Sequence, residues 1–156
     1  MKIMHKIFVI TMAGILMLAS PVIAEGITRF VVSATGTQEV TGPEDWKGSA
    51  SATLTLNTEK EEVCFEIQAK DIASATLAHI HSGAASVAGP VVISLTAPAE
   101  GSSKGCAPAS RTVIQQISQT PENFYLNIHN AEFPKGAVRG QLMKNQPAKE
   151  SSGYSY

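Results

Sequence analysis

Cationic charge is in short supply in this 156-residue chain, which has 12 Lys and Arg against 13 Asp and Glu. Lys2 and Lys6 fall near the start, so from Glu25 onward the balance is net acidic. A surface built to hold nucleic acid through clustered lysines and arginines is therefore not expected. The chain also lacks a second long hydrophobic run after the one at Ile7 to Ala19. That first run follows Lys2 and Lys6 and precedes Val22-Ile23-Ala24, the order of a secretory signal peptide cleaved after residue 24. It is short for a membrane span. The expectation is an exported chain, periplasmic or secreted, with no stable membrane insertion after cleavage. Missing too are a nucleophile paired with a base, a paired-carboxylate motif and a phosphate-binding loop, so the residues give no lead toward an enzyme.

Cysteine occurs only twice. In an oxidising compartment an even count favours a bridge, and Cys64 with Cys106 has one possible pairing. No internal repeat stands out, and helical periodicity is scarce beyond the leader. Alternation with a period of two recurs instead. In "SASATLTL" Ala50, Ala52, Leu54 and Leu56 share a face, and in "EEVCFEIQA" Val63, Phe65, Ile67 and Ala69 do. Cys64 then lies on the opposite face with Glu62 and Glu66, which places the bridge outside the core. Further strand candidates are "TRFVVSA", "TLAHIH", "GPVVISLT", a weaker "RTVIQQIS", "NFYLNIH" and "AVRGQLMK". "RTVIQQIS" also fits a turn or two of helix, and that choice stays open. Gly42-Pro43 and residues 98–105 read as loops, the second delivering Cys106. The expected fold is all-β: an antiparallel Greek-key β-barrel or β-sandwich of about eight strands. One domain over residues 25–144 is expected, followed by a disordered tail at 145–156.

Histidine is the informative scarcity. Only His79, His81 and His129 follow the leader, and they lie on two strand candidates. Strand alternation sends Ala78 and Ile80 one way and Leu77, His79 and His81 the other. On the second segment Phe124, Leu126 and Ile128 oppose Tyr125, Asn127 and His129. If the strands are neighbours, His129 falls about 5–8 Å from the pair, the reach of opposed and diagonal side chains. Three imidazoles on rigid strands suit one copper or zinc ion, with bonds near ~2.0–2.1 Å. The plainer reading is a solvated strand face. Tyr125 and Asn127 share the histidine side, either orienting a ring or forming a polar exterior. Arg139 alternates away from Val138 and Leu142, which suggests an ion pair with Glu132 or Glu66. Gly83, Gly89, Pro90 and Gly136 read as turn residues, and Trp46 as a lid on the core or a partner contact.

Two stretches, "LAHIHSGAASVAGPVVISL" and "NFYLNIHNAEFPKGAVRGQL", resemble the hallmark segments of the CHRD domain family, named after chordin. "VCFEI" around Cys64 and the Gly-Cys at Cys106 extend the resemblance over residues 28 to 143. It implies a β-barrel or sandwich of the kind found in exported bacterial proteins. In bacterial members the "AHIH" and "NIH" segments are suited to hold copper, here through His79, His81 and His129. Nothing matches chordin's cysteine-rich growth-factor-binding modules. The H-x-H pattern is also locally similar to the copper strand of copper-zinc superoxide dismutase, but three histidines cannot build that two-metal site.

The leading expectation is an exported copper-binding barrel with one ion on three histidines, zinc being the alternative metal, for storage, delivery or protection. A periplasmic protein is a candidate partner. Two other classes stand beside it: a protein- or glycan-binding module without metal, and a three-histidine metalloenzyme with an open coordination position.

Overall fold

The structure is a computed structural model that describes residues 26–40 and 47–144. The leader at 1–24, the Gly42-Pro43 turn, Trp46 and the tail at 145–156 lie outside the described residues. Eight strands form: β1 (Ile27–Thr35), β2 (Ser49–Asn57), β3 (Glu62–Lys70), β4 (Ala75–Ser82), β5 (Val91–Leu95), β6 (Ser102–Pro108), β7 (Phe124–Asn130) and β8 (Val138–Gln141). Among the described residues one α-helix, α1 (Arg111–Gln119), lies between β6 and β7.

All strand pairs are antiparallel, in the order β5-β4-β7-β8-β1-β2-β3-β6. The sheet curls until its end strands approach each other, and the Ser103 hydroxyl of β6 donates to the Thr96 carbonyl just beyond β5, at 2.8 Å. The result is a nearly closed barrel. β7 returns past α1 to lie beside β4 rather than β6, which is a Greek-key connection. Closure removes most of the unpaired edge that an open sheet of this size would expose.

Alternation fills the interior as expected. Ala50, Ala52, Leu54 and Leu56 of β2 are buried, as are Val63, Phe65 and Ile67 of β3. Phe30, Val32 and Ala34 of β1 and Phe124, Leu126 and Ile128 of β7 join the same core. Each such side chain leaves water for a close-packed interior, worth roughly 1.5–3 kcal/mol for a Val, Leu, Ile or Phe.

One open choice is settled and one local reading resolves differently from expectation. "RTVIQQIS" is α1, with Ser110 as N-cap accepting the Val113 N–H and with Ile114 and Ile117 buried against the barrel. Their i, i+3 spacing marks one helix face, and a single apolar stripe is all that a helix on the barrel needs. Residues 98–105 are not all loop, since β6 begins at Ser102 and pairs with β3 from Gln68↔Ser102 to Glu62↔Pro108. β6 is mostly exposed, and of its residues only Ala107 is buried, so it carries almost no apolar pattern. Backbone pairing, which no side-chain alternation reports, makes it a strand.

Cys64 and Cys106 are bridged and directly opposed in the β3–β6 register. Cys64 is half-buried and Cys106 exposed, on the outer face. The bridge ties the last strand of the sheet to its neighbour across a sequence separation of 42. Replacing both cysteines by serine is expected to lower unfolding free energy by about 4 kcal/mol. Denaturant unfolding of the two proteins measures it, and an unchanged midpoint contradicts it.

Candidate metal centre

β4 and β7 are hydrogen-bonded neighbours, with Leu77 opposite His129, His79 opposite Asn127 and His81 opposite Tyr125. Ala78 and Ile80 enter the core from β4, as Leu126 and Ile128 do from β7. The interleaved histidines therefore emerge together on the outer side. His129 is the diagonal neighbour of His79, and the ring centroids of that pair are 5.2 Å apart. His79 and His81 are separated by 5.5 Å, and His81 and His129 by 6.1 Å. One nitrogen from each ring lies within 4.8 Å of the others. The sequence placed these three side chains on one face, and the fold brings all three together.

Hydrogen bonds decide which nitrogen two of the rings offer. His81 Nδ1 lies 2.9 Å from the Gly89 carbonyl and His129 Nδ1 lies 3.2 Å from the Pro134 carbonyl. A carbonyl only accepts, so both Nδ1 atoms carry the proton and both Nε2 atoms present a lone pair. His81 Nε2 is buried and has no hydrogen-bond partner. His129 Nε2 faces His79 Nδ1 at 3.3 Å. Two nitrogens on one tetrahedral ion with 2.0–2.1 Å bonds sit about 3.3 Å apart. A buried lone pair without a partner, beside two further imidazoles, fits a copper or zinc ion better than it fits a solvated strand face.

Electrostatics favour the neutral form of His79 and His129. Burial holds His79 below the ordinary histidine range, and the adjacent His81 adds to this. Burial lowers His129 too, with further lowering from His79 and His81 and an opposing contribution from the Pro134 carbonyl. Neutral imidazole is the ligand form.

The outer side of β7 is not a solvated exterior. Every residue of the strand is buried, and on its outer side Gly89 meets the Tyr125 hydroxyl and the Pro134 carbonyl meets His129. Tyr125 stacks on His81 with centroids 4.8 Å apart and planes 12° from parallel. On the β8 side the Arg139 guanidinium sits 3.5 Å from the Tyr125 ring centre. Asn127 and Glu39 line the same cavity beside it. The expected pairing of Arg139 with Glu66 or Glu132 does not form. Glu66 binds Lys104 at 2.7 Å, while Arg139 is buried and donates to the carbonyls of Ala84 and Val87 and to Gln141 Oε1. Carbonyls accept the guanidinium's hydrogen bonds, but no sequence pattern marks them. Gly89 permits the loop's close approach, since a Cβ there would fall on the Ser82 carbonyl.

Sequence reasoning missed Glu39. It is buried where the chain leaves β1, against Gly136, whose φ of +141° and lack of a Cβ make room for the carboxyl. A cavity of about 310 Å³ is lined by Glu39, His81, Tyr125, Asn127, Lys135 and Arg139 among others. Burial pushes the Glu39 carboxyl up to about 7, partly offset by Arg139, by the Asn127 hydrogen bond and by the Val40 backbone. An acidic residue in "TGTQEV" carries no signal of this position. A second cluster, Glu62 with Cys64 and Cys106, has its sulfurs committed to the bridge.

A Greek-key barrel with three histidines on two adjacent strands, two of them held by backbone carbonyls, defines the class of domain. The CHRD domain pattern matches residues 30–142, and the chain belongs to that family. Among curated proteins and among solved structures nothing matches it.

Glu39 sets a pH dependence on stability. Its folded value lies above the ordinary 4.5, so the folded chain holds the proton more tightly than the unfolded one. That contribution is complete below about pH 4.5 and is lost as pH rises through about 7. Glu39→Gln is expected to gain about 2–3 kcal/mol of stability at pH 8 relative to wild type, and little at pH 4. Urea unfolding at the two pH values measures the difference, and equal gains at both would contradict it.

Proposed function

We propose that the protein binds one copper ion through His79, His81 and His129, as an exported carrier, store or scavenger of the metal. The observation that carries this reading is the buried His81 Nε2 without a hydrogen-bond partner, in a cluster where one nitrogen of each ring lies within 4.8 Å of the others. Copper leads zinc because imidazole donors suit both and the Irving–Williams order favours Cu(II). No sulfur ligand joins the set, since the two cysteines are bridged on the far part of the sheet. A blue-copper centre is therefore not proposed.

Tyr125 supports the centre by stacking on His81, and the carbonyls of Gly89 and Pro134 support it by fixing two tautomers. The leader-like first 24 residues and the bridge support export to the periplasm or beyond the cell. Among the described residues no helix is long and apolar enough to cross a membrane. When bound, the ion supplies a cationic site open to an exogenous ligand, and the chain's own part is to hold three neutral imidazoles around it.

Titration of the purified protein with Cu(II), followed by electron paramagnetic resonance, tests the reading. One equivalent is expected to bind with hyperfine coupling to three nitrogens. His79→Ala, His81→Ala and His129→Ala should each remove one coupling and weaken binding by more than the ~10–100-fold typical of losing an outer partner. Absence of saturable binding, or indifference to all three substitutions, would overturn it.

A further inference from the structure

Arg139 is fully buried, and a buried cation is costly unless its donors are all placed. Its donors go to one segment and its neighbour. Nη1 donates to the Val87 carbonyl at 3.0 Å, and Nη2 to the Ala84 carbonyl at 2.8 Å and to Gln141 Oε1 at 3.1 Å. Gln141 Nε2 in turn donates to the Gly83 carbonyl at 2.8 Å. The two β8 side chains thus hold the 83–90 loop at three carbonyls. The end of that loop is Gly89, whose N–H donates to the Tyr125 hydroxyl at 3.0 Å and whose carbonyl receives the His81 Nδ1 proton at 2.9 Å. The guanidinium also presses on the Tyr125 ring that stacks against His81. Both supports of the His81 ring, the carbonyl at its edge and the aromatic ring at its face, therefore lead back to one side chain.

We infer that Arg139 is the positioning residue of the histidine cluster, clamping the 83–90 loop and Tyr125 so that His81 holds its proton on Nδ1 and turns Nε2 toward His79 and His129. The inference rests on the metal reading for its purpose but not for its test. A lysine cannot replace it, because a single ammonium lacks the planar fork that reaches two loop carbonyls and lies flat on a ring. Without Arg139 the loop loses two of its three anchors, those at Ala84 and Val87, and the Gly89 carbonyl no longer has a fixed place. His81 is then free to exchange tautomers, and one ligand must be ordered when metal binds.

The experiment compares wild type, Arg139→Gln, Arg139→Lys and Tyr125→Phe, each checked for folding by circular dichroism. Ring-nitrogen NMR of His81 in the metal-free protein reads the tautomer, and Cu(II) titration reads affinity. Wild type is expected to show a single Nδ1–H form. Both Arg139 variants should show mixed tautomers and bind copper about 10–100-fold more weakly, with no rescue by lysine. Tyr125→Phe, which removes only the hydroxyl that holds the Gly89 N–H, should shift both readings the same way. Folded Arg139 variants that keep the wild-type tautomer and affinity would overturn the inference. If they do not fold, Tyr125→Phe decides by the same two readings. Should wild type take up no copper, the metal reading fails while the nitrogen spectra still decide the role of Arg139.

Discussion

The antiparallel pairing of β4 with β7 is the constraint from which the rest of the site follows. Side chains alternate strictly along a strand, so burying Ala78 and Ile80 on one side forces His79 and His81 to the other. The same alternation in β7 turns His129 outward once Leu126 and Ile128 enter the core. The register then sets the distance, placing Leu77 opposite His129 and leaving His79 on the diagonal. A slip of one residue would send the histidines into the barrel and the apolar residues into solvent, a change the core cannot tolerate. The energetics of the barrel interior thus fix the geometry of the cluster outside it.

Around that cluster the fold adds a thin second layer. Every residue of β7 is buried, and on its outer side Gly89 meets the Tyr125 hydroxyl and the Pro134 carbonyl meets His129. Burial does two things for the histidines. It keeps His79 and His129 neutral, and it withholds water from His81 Nε2. Rings crowded this closely would repel one another if protonated, and a cation between them replaces that repulsion with shared coordination. Backbone carbonyls, rather than acidic side chains, hold the two fixed tautomers, so the cluster brings no negative charge of its own.

Period-two patterning made most of the fold legible, because seven of the eight strands carry an apolar face that the core requires. The same parity rule identified the histidine face, and the Cys64–Cys106 bridge outside the core follows from it. β6 was hidden because, apart from Ala107, its residues are not buried, and its identity lies in backbone pairing with β3. α1 was ambiguous because Val113, Ile114 and Ile117 suit either period in so short a segment. The partners of Arg139 and the place of Glu39 were not legible at all. They depend on the path of loops, and carbonyl groups that every residue possesses leave no mark in a sequence. Gly89 and Gly136 were readable as turn residues, though not as the points where backbone meets Ser82 and carboxyl meets turn.

The central claim is that three ring nitrogens from β4 and β7 close on one cation. A crystal structure of the copper-loaded protein, with anomalous scattering recorded at the copper edge, tests it most directly. The account predicts a single strong peak about 2.0–2.1 Å from one nitrogen each of His79, His81 and His129. A peak elsewhere, or contact with only one or two of the rings, would contradict it.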